Sequence, residues 1–113
     1  MTHAGQASRK IVEERIYTLE MGAAAQYLRL YEEHGLAVQT RYLPRMLGYF
    51  FTEAGPLNQI VHLWAYESFD QRLACRAAMA ADPAWRDYVD KIRPLVRHQE
   101  SKILRPAAFS PIR

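Results

Sequence analysis

Met46 to Glu67 reads MLGYFFTEAGPLNQIVHLWAYE, and the fold turns on this stretch. Two runs of β-branched and aromatic residues flank Gly55-Pro56-Leu57-Asn58, whose composition is that of a chain reversal, so the sequence predicts a β-hairpin. Both strands carry apolar residues at consecutive positions: Tyr49-Phe50-Phe51 in the first, Ile60-Val61 and Leu63-Trp64 in the second. A strand with one face in water alternates apolar and polar residues, whereas consecutive apolar residues predict a hairpin covered on both faces. The remaining chain offers helices for only one of those faces, which leaves the other for a second subunit. His62, Trp64 and Tyr66 lie two apart and share one face of their strand, where they form a candidate pocket wall.

Upstream, Ile11 to Leu19 (IVEERIYTL) reads as a strand, with Val12, Glu14, Ile16 and Thr18 on one face and Glu13, Arg15, Tyr17 and Leu19 on the other. Past Met21-Gly22, Ala24, Tyr27, Leu28 and Tyr31 recur at spacings of three and four and predict a helix. His34-Gly35 reads as its C-terminal stop, with Leu36 to Tyr42 continuing helically at a new angle before Pro44. Downstream, Ser68 followed by Gln71 is a capping-box pattern. It predicts a helix from about Phe69 to Ala81 that turns Leu73, Ala77 and Ala80 to the sheet. Asp82-Pro83 opens another helix, with Trp85, Tyr88, Val89 and Ile92 as its apolar stripe and Pro94 at its end. Leu95 to Leu104 (LVRHQESKIL) is the last strand, before a proline-punctuated tail from Arg105 to Arg113. Strand, helix, strand, strand, helix, strand is the ferredoxin-like βαββαβ pattern, an α+β fold whose four-stranded antiparallel sheet carries its helices on one face. Leaving Phe50 or Phe51 in water on the bare face would expose a patch on the order of several hundred Å². Two such sheets packed face to face make a dimeric α/β barrel, so the expected assembly is a C₂ homodimer.

The bulk numbers agree with one small domain. The chain has 113 residues, 50% hydrophobic and 24% charged, enough for a single core over residues 11–113. Residues 1–10 lack an apolar segment, which argues against a secretory signal and predicts an unstructured tail. No apolar run approaches the ~20 residues of a membrane helix, so no membrane span is expected. A single cysteine, Cys75, cannot form an internal disulfide and suits a reducing, cytoplasmic setting; in its alanine-rich stretch it reads as a small packing residue. A net charge of +3, with the basic last quarter interrupted by Asp87, Asp90 and Glu100, lacks the dense basic face of a nucleic-acid binder.

Glu13 to Leu19 (EERIYTL), Gly48 to Ser68 (GYFFTEAGPLNQIVHLWAYES), the helix with its repeated arginines Arg72 and Arg76, and Glu100 to Pro111 (ESKILRPAAFSP) together resemble the NIPSNAP family. The resemblance covers nearly the whole chain from Ile11 onward, and the block around GPLNQIVHLWAYES is its most specific part. It implies a dimeric ferredoxin-like α/β barrel of the small bacterial type, without the presequence or second domain copy of animal members, which are associated with mitochondria and membrane trafficking. Relatives of that fold include cofactor-independent monooxygenases, haem-degrading enzymes, polyketide cyclases, lactone isomerases and aldoxime dehydratases, an analogy at the level of fold.

In such folds the small-molecule cavity lies between the sheet and its own helices. His62 is the only histidine flanked by strongly apolar neighbours, and an ordinary pKa near ~6.5 would make it a general acid or base near neutral pH. Tyr17 or Tyr66 would hydrogen-bond a substrate oxygen and Arg15 would hold an acidic group; His62, Tyr17 and Arg15 are thus the candidate catalytic residues. Trp64, Tyr66, Tyr27, Tyr31 and Tyr49 are the candidate substrate-binding residues. The competing readings are a satisfied core histidine, aromatic core packing, and an Arg15 paired with Glu13 or Glu100. Arg72 and Arg76 read as solvated surface charges or as captors of an acidic group, and Asn58 as a side chain that satisfies its own turn. His3, His34, His62 and His98 have no paired spacing for a metal, and no glycine-rich phosphate loop or dinucleotide fingerprint is present, so no metal and no cofactor is called for. A lone axial histidine to haem needs no motif and stays open. The sequence therefore predicts a homodimer that binds a small apolar or aromatic molecule, as a cofactor-independent cyclase, isomerase or monooxygenase. The alternative is a non-catalytic protein-interaction or ligand-binding module.

Overall fold

A computed structural model describes residues 10–113; apart from Lys10, the tail expected over residues 1–10 lies outside the described residues. Along the chain run β1 (Ile11–Leu19), α1 (Ala24–Leu30), α2 (Leu36–Tyr42), β2 (Arg45–Phe51), β3 (Gln59–Tyr66), α3 (Phe69–Ala80), α4 (Pro83–Ile92) and β4 (Val96–Leu104). The four strands form one sheet in the order β2-β3-β1-β4, and every neighbouring pair is antiparallel. This is the expected ferredoxin-like α+β fold.

Register settles what sequence spacing left open. Arg15 stands opposite His62, Tyr17 opposite Ile60 and Glu13 opposite Trp64, while Tyr49 of β2 faces His62 from the other side. Directly paired residues share a face. Ile60, His62, Trp64 and Tyr66 are all buried against the helices, whereas Val61 and Leu63 are only half-buried. The helices thus cover one face of the hairpin. The other stays open in the single chain, with Phe50 52% exposed on it. The tail after β4 lies along that open face, and a groove of about 490 Å³ runs between it and Val12, Leu47 and Leu63.

The hairpin turn carries Gly55 at φ 95° and Asn58 at φ 60°, a conformation asparagine tolerates better than most side chains. Contrary to expectation, the Asn58 side chain does not serve its own turn. Its Oδ1 accepts from the Gly22 N–H (3.0 Å) and its carbonyl from the Leu19 N–H (2.8 Å), which fastens the hairpin to the loop after β1.

His34-Gly35 does not stop the first helix. Gly35 keeps right-handed backbone angles (φ −108°, ψ −38°), and a π-helical turn over Tyr31–Gly35 carries the chain from α1 into α2. The glycine answers a steric need instead: a Cβ there would lie 2.8 Å from the Tyr88 ring and 2.9 Å from that of Tyr31.

Ser68 caps α3 by accepting from the Gln71 N–H (3.0 Å), and the Gln71 side chain returns to the Glu67 N–H (2.7 Å). The inward side of this helix differs from expectation. Leu73, Ala77 and Ala80 face solvent, Leu73 at 68%, while Arg72, Cys75, Arg76 and Met79 turn inward. The reason lies on the sheet, where Glu13 is fully buried and takes two hydrogen bonds from Arg72 on this face of α3, beside the one from Arg15 on its own strand. Asp82 caps α4 through the Ala84 N–H (2.8 Å), with Pro83 as its first residue, and Tyr88 and Ile92 are buried as its stripe predicts. A 3₁₀ turn at Arg93–Leu95 then delays β4 by one residue from its expected start.

Candidate functional site

Between the sheet and its helices lies a cavity of about 200 Å³. β1 contributes Arg15 and Tyr17, β2 Tyr49, β3 His62 and β4 Gln99; Tyr27 comes from α1, Gln39 from α2 and Arg76 from α3, and α4 closes it with Trp85, Tyr88, Val89 and Ile92. A cavity of about 150 Å³ accepts a benzene ring. This one therefore has room for a single ring bearing a small polar substituent.

His62 is the most constrained group in its wall. The ring is 1% exposed, with Tyr49 stacked at 4.6 Å and Tyr17 edge-on at 4.9 Å between ring centres. Trp64 donates its indole N–H to His62 Nδ1 at 2.7 Å. An indole can only donate, so Nδ1 must be the bare nitrogen and the neutral ring carries its proton on Nε2. That buried Nε2 has no hydrogen-bond partner among the described residues. Burial foremost, and then the positive charge of Arg15, push the His62 pKa down to about 3; Glu13 opposes this and Arg76 adds to it. Burial and the Trp64 N–H on Nδ1 both favour the neutral ring over the acid-base role expected from sequence. His62 is a neutral N–H donor held in one tautomer.

A second network fixes the charges beneath it. Glu13 accepts from Arg72 Nε and Nη2, each at 2.9 Å, from Arg15 Nη1 at 2.9 Å, and from Ser101 Oγ. Burial alone would raise the Glu13 carboxyl, but hydrogen bonds from Arg72, Ser101 and Arg15 outweigh it and hold the pKa at about 2. Arg15 is therefore Glu13's partner rather than that of Glu100, and it also donates from Nε to the Tyr17 hydroxyl (3.2 Å). Arg72, read from sequence as a surface charge or a captor of an acidic group, is the clamp that joins α3 to β1. Arg76, one turn further along α3, lines the cavity and has no ion-pair partner among the described residues.

The tyrosines divide into two groups. Tyr88 donates to Tyr27 (3.3 Å), whose hydroxyl shares a 2.8 Å hydrogen bond with that of Tyr49. Burial raises all three well above the usual phenol range, so the chain stays protonated. Tyr31 is instead a core residue that donates to Gln39 Oε1 at 2.6 Å.

Five of the residues nominated from sequence come together at the cavity: His62, Tyr17, Arg15, Tyr27 and Tyr49. Trp64, Tyr66 and Tyr31 stand outside its lining. Trp64 and Tyr66 pack with Ile11, Leu43 and Met79 in a separate part of the core, and Trp64 reaches the site only through His62. Gln39, Tyr88 and Gln99 were missed as site residues, and Arg76 was read as a surface charge or, alternatively, a captor of an acidic group. For Arg76 a signal existed: an arginine pair four apart on one helix, with a carboxylate on the inward side of β1. Among the described residues no group of histidine, cysteine and carboxylate side chains is arranged to hold a metal, and no helix is long and apolar enough to cross a membrane. A haem, several times larger than the benzene that fills a ~150 Å³ cavity, does not fit the space beside His62.

Comparison with known proteins gives one family. The NIPSNAP family profile matches residues 12–111. A NipSnap homologue of Dictyostelium discoideum is 34% identical over 97 residues, covering 86% of this chain and 43% of that protein. The chain thus spans less than half the length of the longer relatives it matches. Among solved structures, a NIPSNAP-like domain protein from Burkholderia xenovorans superposes with a TM-score of 0.89 at 47% identity, covering 92% of this chain and 90% of that one. A nipsnap family protein with unknown function from Agrobacterium tumefaciens gives 0.92 at 42%, covering 96% and 97%. SnoaB, a cofactor-independent oxygenase from Streptomyces nogalater, shares the fold at a TM-score of 0.62 and 15% identity, covering 87% and 93%.

Proposed function

This chain belongs to the NIPSNAP family, and we propose that it is a homodimeric protein that binds a small aromatic metabolite in the cavity between its sheet and helices. The observation that carries the reading is the Nε2–H of His62, a residue of the cavity wall: it is buried without a partner among the described residues, and Trp64 fixes its tautomer. A buried donor without a partner costs about 1–3 kcal/mol. A ligand carbonyl, hydroxyl or carboxylate oxygen removes that cost. The aromatic side chains in the wall, Tyr17, Tyr27, Trp85 and Tyr88 among them, suit a flat ring. Donors that stabilise a bound oxygen also stabilise negative charge developing on it, so the same wall suits a cofactor-independent enolisation, cyclisation or oxygenation. The dimer rests on the open sheet face, where half-buried Val61 and Leu63 and exposed Phe50 and Leu104 lack helices to cover them.

The test is a thermal-shift screen of single-ring carbonyl and hydroxyl compounds against the parent and His62→Leu. A compound that raises the parent Tm by several degrees and leaves the folded variant unmoved supports the reading. If every compound shifts both proteins alike, or none shifts either, the cavity is not a ligand site.

A further inference from the structure

Charge in and around the cavity goes beyond what a neutral aromatic ligand needs. Arg15 and Arg76 line it, and no carboxylate does among the described residues. Glu13, the nearest acid, is shared between Arg15 and Arg72, and it neutralises only one of the three guanidiniums gathered here. Two positive charges remain beside a low-dielectric aromatic wall, and an uncompensated charge in such a place is costly. Arg15 has only part of its donor set committed, to Glu13 and to the Tyr17 hydroxyl, out of the five N–H groups a guanidinium carries. Arg76 has no carboxylate against it among the described residues; its charge acts on His62, and it acts on Tyr66 both as a charge and as a hydrogen-bond partner. The two guanidiniums come from opposite sides of the space, one from the sheet and one from α3, with His62 in the same wall. The positive charges of Arg15 and Arg76, which add to burial in keeping a proton off His62, also draw in an anion.

We infer that the ligand of this cavity is a small organic anion, an aromatic carboxylate or an equivalent ring-bound oxyanion, held by Arg76 and Arg15 with the His62 N–H on one oxygen. This rests on the cavity being a ligand site. The aromatic and aliphatic remainder of the wall, Tyr17, Tyr49, Trp85 and Val89 among it, takes the ring, and the volume limits the ligand to one ring. The exposed side chain of Gln99 on β4 marks where the cavity meets solvent. Arg76 is the specificity-determining residue, because Arg72 is occupied by Glu13 and Arg15 is partly so. A guanidinium matches a carboxylate in two parallel hydrogen bonds, which an ammonium at the same place does not reproduce.

The experiment measures binding of benzoate and its neutral isostere benzamide, and of salicylate and salicylamide, by calorimetry at low ionic strength. The Trp64 indole N–H resonance is followed in parallel as a reporter on the cavity. The acids are expected to bind about tenfold to a hundredfold more tightly than the amides, the range of a charge-assisted hydrogen bond. Arg76→Gln should erase that preference, and Arg76→Lys should reduce it while keeping the charge. The lysine variant carries the test if the glutamine variant fails to fold. Amides that bind as well as the acids, and that move the indole resonance, overturn the anion inference and leave the cavity reading standing. If neither acid nor amide moves that resonance at millimolar concentration, the cavity reading falls and the inference with it. A preference for acids that survives Arg76→Gln overturns the assignment to Arg76.

Discussion

Lowering the pH should unload stability from one residue before any carboxylate contributes, and that residue is His62. Its folded pKa of about 3 lies below its ordinary 6.5. Between those values the unfolded chain binds a proton that the folded chain refuses, so stability rises with pH across the window. The contribution is complete above about pH 6.5 and drains away as the pH falls towards 3. Glu13, held at about 2 against an ordinary 4.5, has the same sign but starts to lose its contribution only below about 4.5. From pH 6.5 to 4.5 the loss from this site therefore belongs to His62 alone. One proton over about two pH units, at ~1.4 kcal/mol per unit, gives about 2–3 kcal/mol.

The assay is urea unfolding followed by tryptophan fluorescence from pH 4.5 to 7.5, at one fixed protein concentration because association contributes to apparent stability. His62→Gln serves as the reference, since it removes the titrating group and leaves every other residue in place. The parent should lose about 2–3 kcal/mol more than the variant across the window. Parallel profiles would refute the reasoning. They would mean that His62 takes up its proton while the protein is folded, that the ring is wetter than its 1% exposure implies, and that a neutral Nε2–H donor is the wrong description.

Three other perturbations probe separate parts of the structure. Glu13→Gln leaves Arg72 and Arg15 facing each other without their carboxylate and should cost about 3–5 kcal/mol in urea unfolding; a cost below about 1 kcal/mol would show that the network is better hydrated than its geometry implies. Gly35→Ala places a methyl 2.8 Å from the Tyr88 ring and should cost about 1–3 kcal/mol, read as a lowered Tm, and an unchanged Tm would mean the π turn relaxes freely. Val61→Lys puts a charge in the middle of the open sheet face and should turn a dimer into a monomer by sedimentation at micromolar concentration, with far-UV circular dichroism unchanged. A parent that already sediments as a monomer removes the dimer from the proposal.

Why the fold was legible and half of the site was not comes down to what each depends on. The strand at Ile11–Leu19, the hairpin, and the caps at Ser68 and Asp82 are written in local signals: alternation, turn residues and side chains that bond the adjacent backbone. Their order alone fixes a ferredoxin-like sheet, so β1 had to lie beside β3 and the pairing of Arg15's strand with His62's was foreseeable. Register was not, because a one-residue slip sends every side chain to the opposite face and nothing local forbids it. The inward face of α3 was misread for a related reason. Hydrophobic periodicity assigns the buried side to whichever stripe is more apolar, and along this helix that stripe runs through Leu73 and Ala77, which are exposed. The side that turns inward carries Arg72 and Arg76, because the partner that makes burying a guanidinium tolerable is Glu13, 59 residues away from Arg72 on another element. Charge compensation across a fold has no one-dimensional signature. The candidate site of His62 on β3, Arg15 on β1 and Arg76 on α3 becomes visible only when topology has brought the three together, and the chemistry proposed for it then follows from which guanidinium the buried carboxylate leaves unneutralised.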